Sequence, residues 1–166
     1  HRLAIMDPSI QGDQPFSYSY HYTGGLSNTD KYLRTIYLMV NGEIYNWEKL
    51  RSEPDIQESC HKNDYQYRSH SDCEVLLPMF MRYIVQDSYA QDPELFQSGL
   101  KDMISRLDGE FAFVAYDKRH KRVIAARDAM GIRPLFYGYT QEGQIAFASE
   151  MKDLLAFCEK IYPFPP

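Results

Sequence analysis

Two residue pairs in this chain have types suited to work on a small polar substrate. Asn41-Gly42 closes the apolar run Thr35–Val40. Asn offers a side-chain amide N–H, and Gly lets a ligand approach the backbone N–H. Two such donors converging on one point hold a developing oxyanion, and losing one costs on the order of 10²–10³ in rate. The same dipeptide is also a tight-turn signal. Arg2 can grip a carboxylate through two parallel hydrogen bonds, and Asp72 can accept bonds from an ammonium group. Together they suit the α-carboxylate and α-amine of an amino acid. Taken singly, Arg2 reads as a surface ion pair and Asp72 as a helix cap. Arg127-Asp128, followed by Gly131 and Pro134, reads as a loop pinned by an internal ion pair. No histidine stands near a serine or cysteine partner in sequence, so a Ser/His/Asp triad has no support.

The elements that must hold these residues are legible from periodicity and punctuation. Leu3–Met6 predicts a short strand ended by Asp7-Pro8, and Gln11–Gln14 a polar turn. Tyr18–Tyr22 alternates like a strand with one wet face. Thr23–Asp30 reads as a loop. Thr35–Val40 predicts a strand that turns at Asn41-Gly42. Asn46 is placed to cap a short helix over Trp47–Leu50. Ser52–Asn63 reads as an exposed, irregular loop. Ser71 and Glu74 have capping-box spacing. They precede a helix with Val75, Leu76, Met79, Phe80, Tyr83 and Ile84 on one face. Pro78 demands either a kink in that helix or a later start. Glu94–Leu107 is helical, weakened by Gly99.

The C-terminal third predicts a β meander. Phe111–Tyr116 and Val123–Arg127 join through the basic turn Lys118–Arg122, and Glu110–Ala115 reads as core with no chemical role. Leu135–Tyr139 and Ile145–Ser149 form a hairpin around Glu142-Gly143. Ser149 is placed to cap a short helix, Met151–Phe157. Tyr162–Pro166 reads as the start of a linker. Strands, then helices, then strands indicate an α+β protein with largely antiparallel sheets.

Composition narrows the class. The 166 residues carry 44% apolar and 25% charged side chains, ordinary for a globular domain with its own core. Tyrosine is frequent, at 14 residues, which favours sheet. A net charge of −5 with scattered Lys and Arg argues against nucleic-acid or acidic-membrane partners. Cys60, Cys73 and Cys158 fit neither a disulfide framework nor a zinc site, which favours a reducing, cytoplasmic setting. No apolar run reaches the ~20 residues of a membrane helix, and His1–Met6 is not a signal peptide.

Taken together, the segments resemble one family in order and spacing: Arg2–Asp7, Asn41–Asn46, Ser71–Val75, Leu107–Phe113, Ala126–Phe136 and Ser149–Lys152. They are similar to the glutaminase domain of glutamine-hydrolysing asparagine synthetases, a class II glutamine amidotransferase. The Gly131–Leu135 stretch also resembles amidophosphoribosyltransferases. The resemblance implies an N-terminal-nucleophile αββα sandwich, two stacked antiparallel sheets flanked by helices. It implies a domain over 1–162 and a linker start over 163–166. It implies L-glutamine as substrate, hydrolysed to glutamate and ammonia by an N-terminal cysteine whose own α-amine is the base. Arg2 would bind the α-carboxylate, with Ile5 and Met6 contributing contacts from the same strand. Asn41 and Gly42 would form the oxyanion hole, and Glu43 and Asp72 would sit by the ligand, with Asp72 on the α-amine. No metal and no cofactor are implied here. ATP and Mg²⁺ would serve a C-terminal synthetase domain that amidates aspartate, and a homodimer is an open option. The chain departs from the family in starting at His1, without the cysteine. The 166 residues alone are therefore expected to be inactive, and a non-catalytic glutamine-binding or structural relative is the alternative.

Overall fold

The computed structural model describes residues 6–22, 32–84 and 92–165. The expected Arg2 and Ile5 contacts, most of the Leu3–Met6 strand and the 23–30 loop lie outside them. The described strands form two antiparallel sheets. The first runs β1 (Phe16–Tyr22), β2 (Tyr32–Ile44), β3 (Gly109–Asp117), β4 (Arg122–Arg127) in that spatial order. The second has β5 (Phe136–Thr140) in the middle, between β6 (Ile145–Ala148) and β7 (Cys158–Pro163). The described α-helices are α1 (Trp47–Ser52), α2 (Pro54–Lys62), α3 (Leu76–Tyr83) and α4 (Pro93–Ser105). This is the α+β, two-sheet architecture expected.

Side-chain alternation assigns each face of the first sheet a task. Ile36, Leu38, Val40 and Ile44 of β2 are buried, as are Phe111, Phe113 and Ala115 of β3. They share the core with α3, where Phe80 meets Phe113 edge-on at 5.6 Å between ring centroids. Truncating such a ring to alanine costs roughly 3–5 kcal/mol. The opposite face carries Tyr37, Met39 and Asn41, opposite Tyr116, Val114 and Ala112. Tyr37 and Met39 are exposed. Asn41 therefore cannot enter the core without moving Val40 out of it.

Helix α3 is buried nearly all round, from Leu76 through Met81. Pro78 is its third residue, so the missing N–H falls in the first turn, where no intrahelical partner exists. The later start, not a kink, is what the chain adopts. A 3₁₀ turn, Asp72–Val75, precedes it. Helix α4 begins at Pro93 and is capped by Asp92, which accepts from the Glu94 and Leu95 amides at 2.9 and 3.1 Å.

Several expectations need correction. Asn41-Gly42 is not a turn: β2 continues through it to Ile44. Ser52–Asn63 is not irregular, because α2 occupies most of it. Its polar face is supported by a Glu58–Lys62 pair at 2.6 Å, and only Ile56 and Ser59 are buried. Asn46 stands at the N-cap position of α1 as expected, but its side chain makes no cap bond. Its amide instead donates to the Arg106 carbonyl at 2.8 Å and accepts from Asp108 N–H at 3.0 Å, clamping α1 to the α4–β3 connection. Ser71 and Glu74 form no capping box. Glu74 turns inward and accepts from Tyr65 OH, the Arg68 and Ser69 amides and Ser69 OH, at 2.5–2.8 Å. Ser149 caps nothing, and only a 3₁₀ turn, Met151–Leu154, follows it. Tyr162 and Pro163 belong to β7, paired with Tyr137 and Phe136. Pro163 ends its strand, a position where a missing donor is tolerated.

Candidate active site

The open edge of β2 beyond β1 sets up the site. The last β1–β2 partners are Phe16 and Leu38. Past them, β2 backbone groups facing away from β3 need other partners. At Val40 the Gln14 side chain substitutes for a strand. Its Oε1 accepts the Val40 N–H at 2.6 Å and its Nε2 donates to the Val40 carbonyl at 2.9 Å. At Ile44 the N–H donates to Asp72 Oδ2 at 2.6 Å. At Gly42 the carbonyl accepts the Cys73 thiol at 3.4 Å.

The Gly42 N–H belongs to the same series. Phe111, its partner in β3, turns both backbone groups the other way, to Asp128: Phe111 N–H donates to Oδ2 at 3.2 Å, and Asp128 N–H donates to the Phe111 carbonyl at 2.7 Å. Strand alternation then leaves Gly42 N–H facing away from β3, with no partner among the described residues. Gly42 adopts φ +135°, and a Cβ there would lie 1.9 Å from the Glu110 carbonyl oxygen. Glycine is required by this approach as well as by its backbone angle.

Around this edge lies a cavity of about 710 Å³. Met6, Asn41, Gly42, Glu43 and Asp72, all singled out from sequence, line it together. They come from three places: the segment before β1, the end of β2, and the 3₁₀ turn before α3. The second sheet closes the far side with Phe147, Ala148 and Ser149. The Asn41 amide Nδ2 donates to Ser149 Oγ at 3.2 Å, bridging the two sheets.

Sequence reasoning missed several members of this wall. Gln14 carried no signal beyond a polar turn. Asp7, closing the Arg2–Asp7 segment, accepts from Ser9 N–H at 2.9 Å and His70 N–H at 2.8 Å. Hydrogen bonds from the Ser9 side chain and from the His70 and Ser9 amides hold its carboxyl well down, at about 2. Asp7 thus ties its segment to the chain just before Asp72. Cys73 lines the wall with its thiol pushed up out of the ordinary range by burial and by the neighbouring Asp72 carboxylate. It is a structural donor, not a thiolate.

Arg133 reaches the cavity from the β4–β5 loop. It pairs with Glu110 at 2.5 Å, while its Nε is buried without a partner among the described residues. The ion pair expected to pin that loop is this one rather than Arg127 with Asp128. Asp128 pins the loop through backbone amides, accepting from Ile132 at 2.9 Å and Arg133 at 3.1 Å. Burial raises its carboxyl, but the amides of Ile132, Arg133, Phe111 and Gly131 outweigh that and leave it lowered.

A family profile described as "Glutamine amidotransferase domain" matches residues 1–156. The chain belongs to that family. Among curated relatives, "Asparagine synthetase [glutamine-hydrolyzing] 2" of Arabidopsis thaliana is 41% identical over 99% of the chain. The Zea mays "Asparagine synthetase [glutamine-hydrolyzing]" is 38% identical over the same share. The "Probable asparagine synthetase [glutamine-hydrolyzing]" of Dictyostelium discoideum is 39% identical over 80%. The chain spans 20–22% of the length of these relatives. Among solved structures, the glutamine phosphoribosylpyrophosphate amidotransferase from B. subtilis, complexed with ADP and GMP, superposes with a TM-score of 0.59. That match covers 88% of this chain and 26% of that one at 21% identity. It shows the fold, that of the N-terminal-nucleophile amidotransferases. No helix among the described residues is long and apolar enough to cross a membrane.

Proposed function

We propose that this glutamine amidotransferase domain hydrolyses L-glutamine to glutamate and ammonia, and that the ammonia serves ATP-dependent amidation of aspartate in a longer protein. The observation that carries the reading is the pairing, on one cavity wall, of the Asn41 amide with the outward Gly42 N–H. In the mechanism proposed, the substrate carboxamide carbon is attacked by the thiolate of a cysteine bearing the chain's own α-amine, and that amine takes the thiol proton. The carbonyl oxygen gains negative charge between Asn41 Nδ2 and Gly42 N–H. Ammonia leaves, and water then releases glutamate from the thioester.

Asp72 receives the substrate ammonium in this reading, with Glu43 beside it, and Arg2 receives the α-carboxylate with Ile5 and Met6 alongside. The carboxylates of Asp7, Glu43 and Asp72 on the wall support an ammonium-bearing ligand. None of the three cysteines is assigned as nucleophile. Burial raises the Cys60 and Cys73 thiols, and Cys158 lies in β7, outside the cavity wall. The 166-residue polypeptide by itself is therefore expected to release no glutamate. No metal or cofactor is assigned to this site; ATP and Mg²⁺ are assigned to a synthetase domain. The setting proposed is cytoplasmic.

The test is glutamate release by the full-length protein with Asn41→Ala and without it. The expected loss in kcat is about 10²–10³-fold, the cost of one oxyanion donor. An unchanged kcat would remove Asn41 from the chemistry, and absence of glutamine hydrolysis in the full-length protein would remove the reaction.

A further inference from the structure

The Ser149-Glu150-Met151-Lys152 segment is the part of the family pattern that the reaction above leaves without work. Ser149 follows β6 in the second sheet and is half-buried. Its Oγ lies 3.2 Å from Asn41 Nδ2, and both residues line the cavity. No other hydrogen bond of the Asn41 side chain is made among the described residues. An amide NH₂ carries two donors. One is spent on Ser149, and the other remains for a ligand.

An amide attached to the backbone by two rotatable bonds would otherwise sample several orientations on a half-exposed strand face. A donor works on a developing oxyanion only if it is already aimed there, since reorientation during the reaction subtracts from the stabilisation. Nothing on β2 supplies that restraint. The Gln14, Cys73 and Asp72 groups along the open edge all bind backbone atoms. The restraint comes instead from the opposite sheet.

We infer that Ser149 is a positioning residue for the oxyanion donor. Its hydroxyl fixes the Asn41 amide plane so that the second N–H faces the reacting carbonyl. The inference rests on the glutaminase reading and deepens it. Ser149 touches no substrate in this role and acts only through Asn41.

The decisive experiment is a double-mutant cycle in the full-length protein, with steady-state glutamine hydrolysis as the readout. Ser149→Ala should lower kcat about tenfold, a fraction of the ~10²–10³ lost with the donor itself, and leave KM for glutamine within about twofold, because the lost interaction acts in the transition state. Ser149→Thr keeps the hydroxyl and should recover most of the loss, which separates positioning from a packing defect. In an Asn41→Ala background, Ser149→Ala should cost nothing further. Three results would overturn the inference: an unchanged kcat in Ser149→Ala, a raised KM at unchanged kcat, or losses that multiply in the double variant. If Asn41→Ala itself leaves kcat intact, the oxyanion role of Asn41 fails and that of Ser149 with it, whereas a full-length protein that hydrolyses no glutamine sinks the glutaminase reading. If Asn41→Ala is crippled while Ser149→Ala is normal, only the role of Ser149 fails.

Discussion

Asp72 Oδ2 accepts the backbone N–H of Ile44 at 2.6 Å, across 28 residues of sequence. The carboxylate proposed to receive the substrate ammonium is also a splint for the last residue of β2. Its two roles are separable. Asp72→Asn keeps an acceptor for Ile44 and removes the charge. It should raise the glutamine KM at least tenfold, about 1.4 kcal/mol of lost attraction, with a melting temperature close to the parent and ammonia-dependent synthesis intact. Asp72→Ala should lose the splint as well, leaving the Ile44 N–H unpaired at a cost of about 1–3 kcal/mol. Equal KM values in Asp72→Asn and the parent would show that Asp72 does not meet the ligand.

Gly42 and Gly143 make a controlled comparison. Both have positive φ, +135° and +76°. A Cβ at Gly143 meets nothing within 4 Å, whereas at Gly42 it strikes the Glu110 carbonyl. Gly143→Ala should show only the backbone penalty, about 1 kcal/mol. Gly42→Ala should exceed it by several kcal/mol, because β2 and β3 must separate. Thermal melts of the two variants read the difference directly. Equal melting temperatures would mean that the close approach at Glu110 relaxes without cost.

The Asp7 carboxyl carries a pH signature. Its folded value of about 2 lies below the ~3.9 of an unfolded aspartate. A group depressed on folding contributes stability above its unfolded value and loses it as pH falls through its folded value. The stability gap between the parent and Asp7→Asn should therefore be constant at pH 5–7 and shrink between about pH 4 and 2. Denaturant midpoints across that range test it. A gap that stays the same down to pH 2 would show that the charge is not its source.

Glu74 is the buried hub of the 65–74 segment, with four donors on two oxygens. Glu74→Gln turns one acceptor into a donor that faces Ser69 or Tyr65. The expected loss is about 1–3 kcal/mol, or roughly 2–10 °C for a domain of this size. Since the same segment carries His70, whose amide holds Asp7, the variant should also weaken glutamine binding. A variant that melts with the parent would show that the hub is dispensable.

The membership of the cavity wall is more legible than the backbone that delivers it. Asn41, Gly42 and Asp72 stand out by residue type, Met6 and Glu43 through the family resemblance, and the five line one cavity. Asn41-Gly42 reads as a turn in sequence, but a local preference for turning is outweighed here by nine residue pairs between β2 and β3. Helix α2 was hidden by its polarity. Its signals were Pro54 at the first position and the Glu58–Lys62 spacing. Ser71 and Glu74 matched a capping box in sequence, but the buried amides of the 65–69 segment claimed the carboxylate first. The contacts of Gln14, Cys73 and Ser149 could not be found from sequence, since each is made to a partner 26 to 108 residues away.

Strand β2 runs thirteen residues without a break. From Ile36 to Asn41, side chains alternate between the core and the opposite face, where Met39 and Asn41 line the cavity, while from Val40 to Ile44 the backbone groups of alternate residues turn to the open edge. Both alternations have period two, so they share a single frame. Substitutions within that frame alter one contact at a time. Deleting or inserting one residue between Thr35 and Val40 would exchange Val40 for Asn41 in the core and turn the Gly42 N–H inward against β3. The strand should accept many amino-acid changes and almost no change of length, so relatives that keep this site should differ there in spelling but not in residue count.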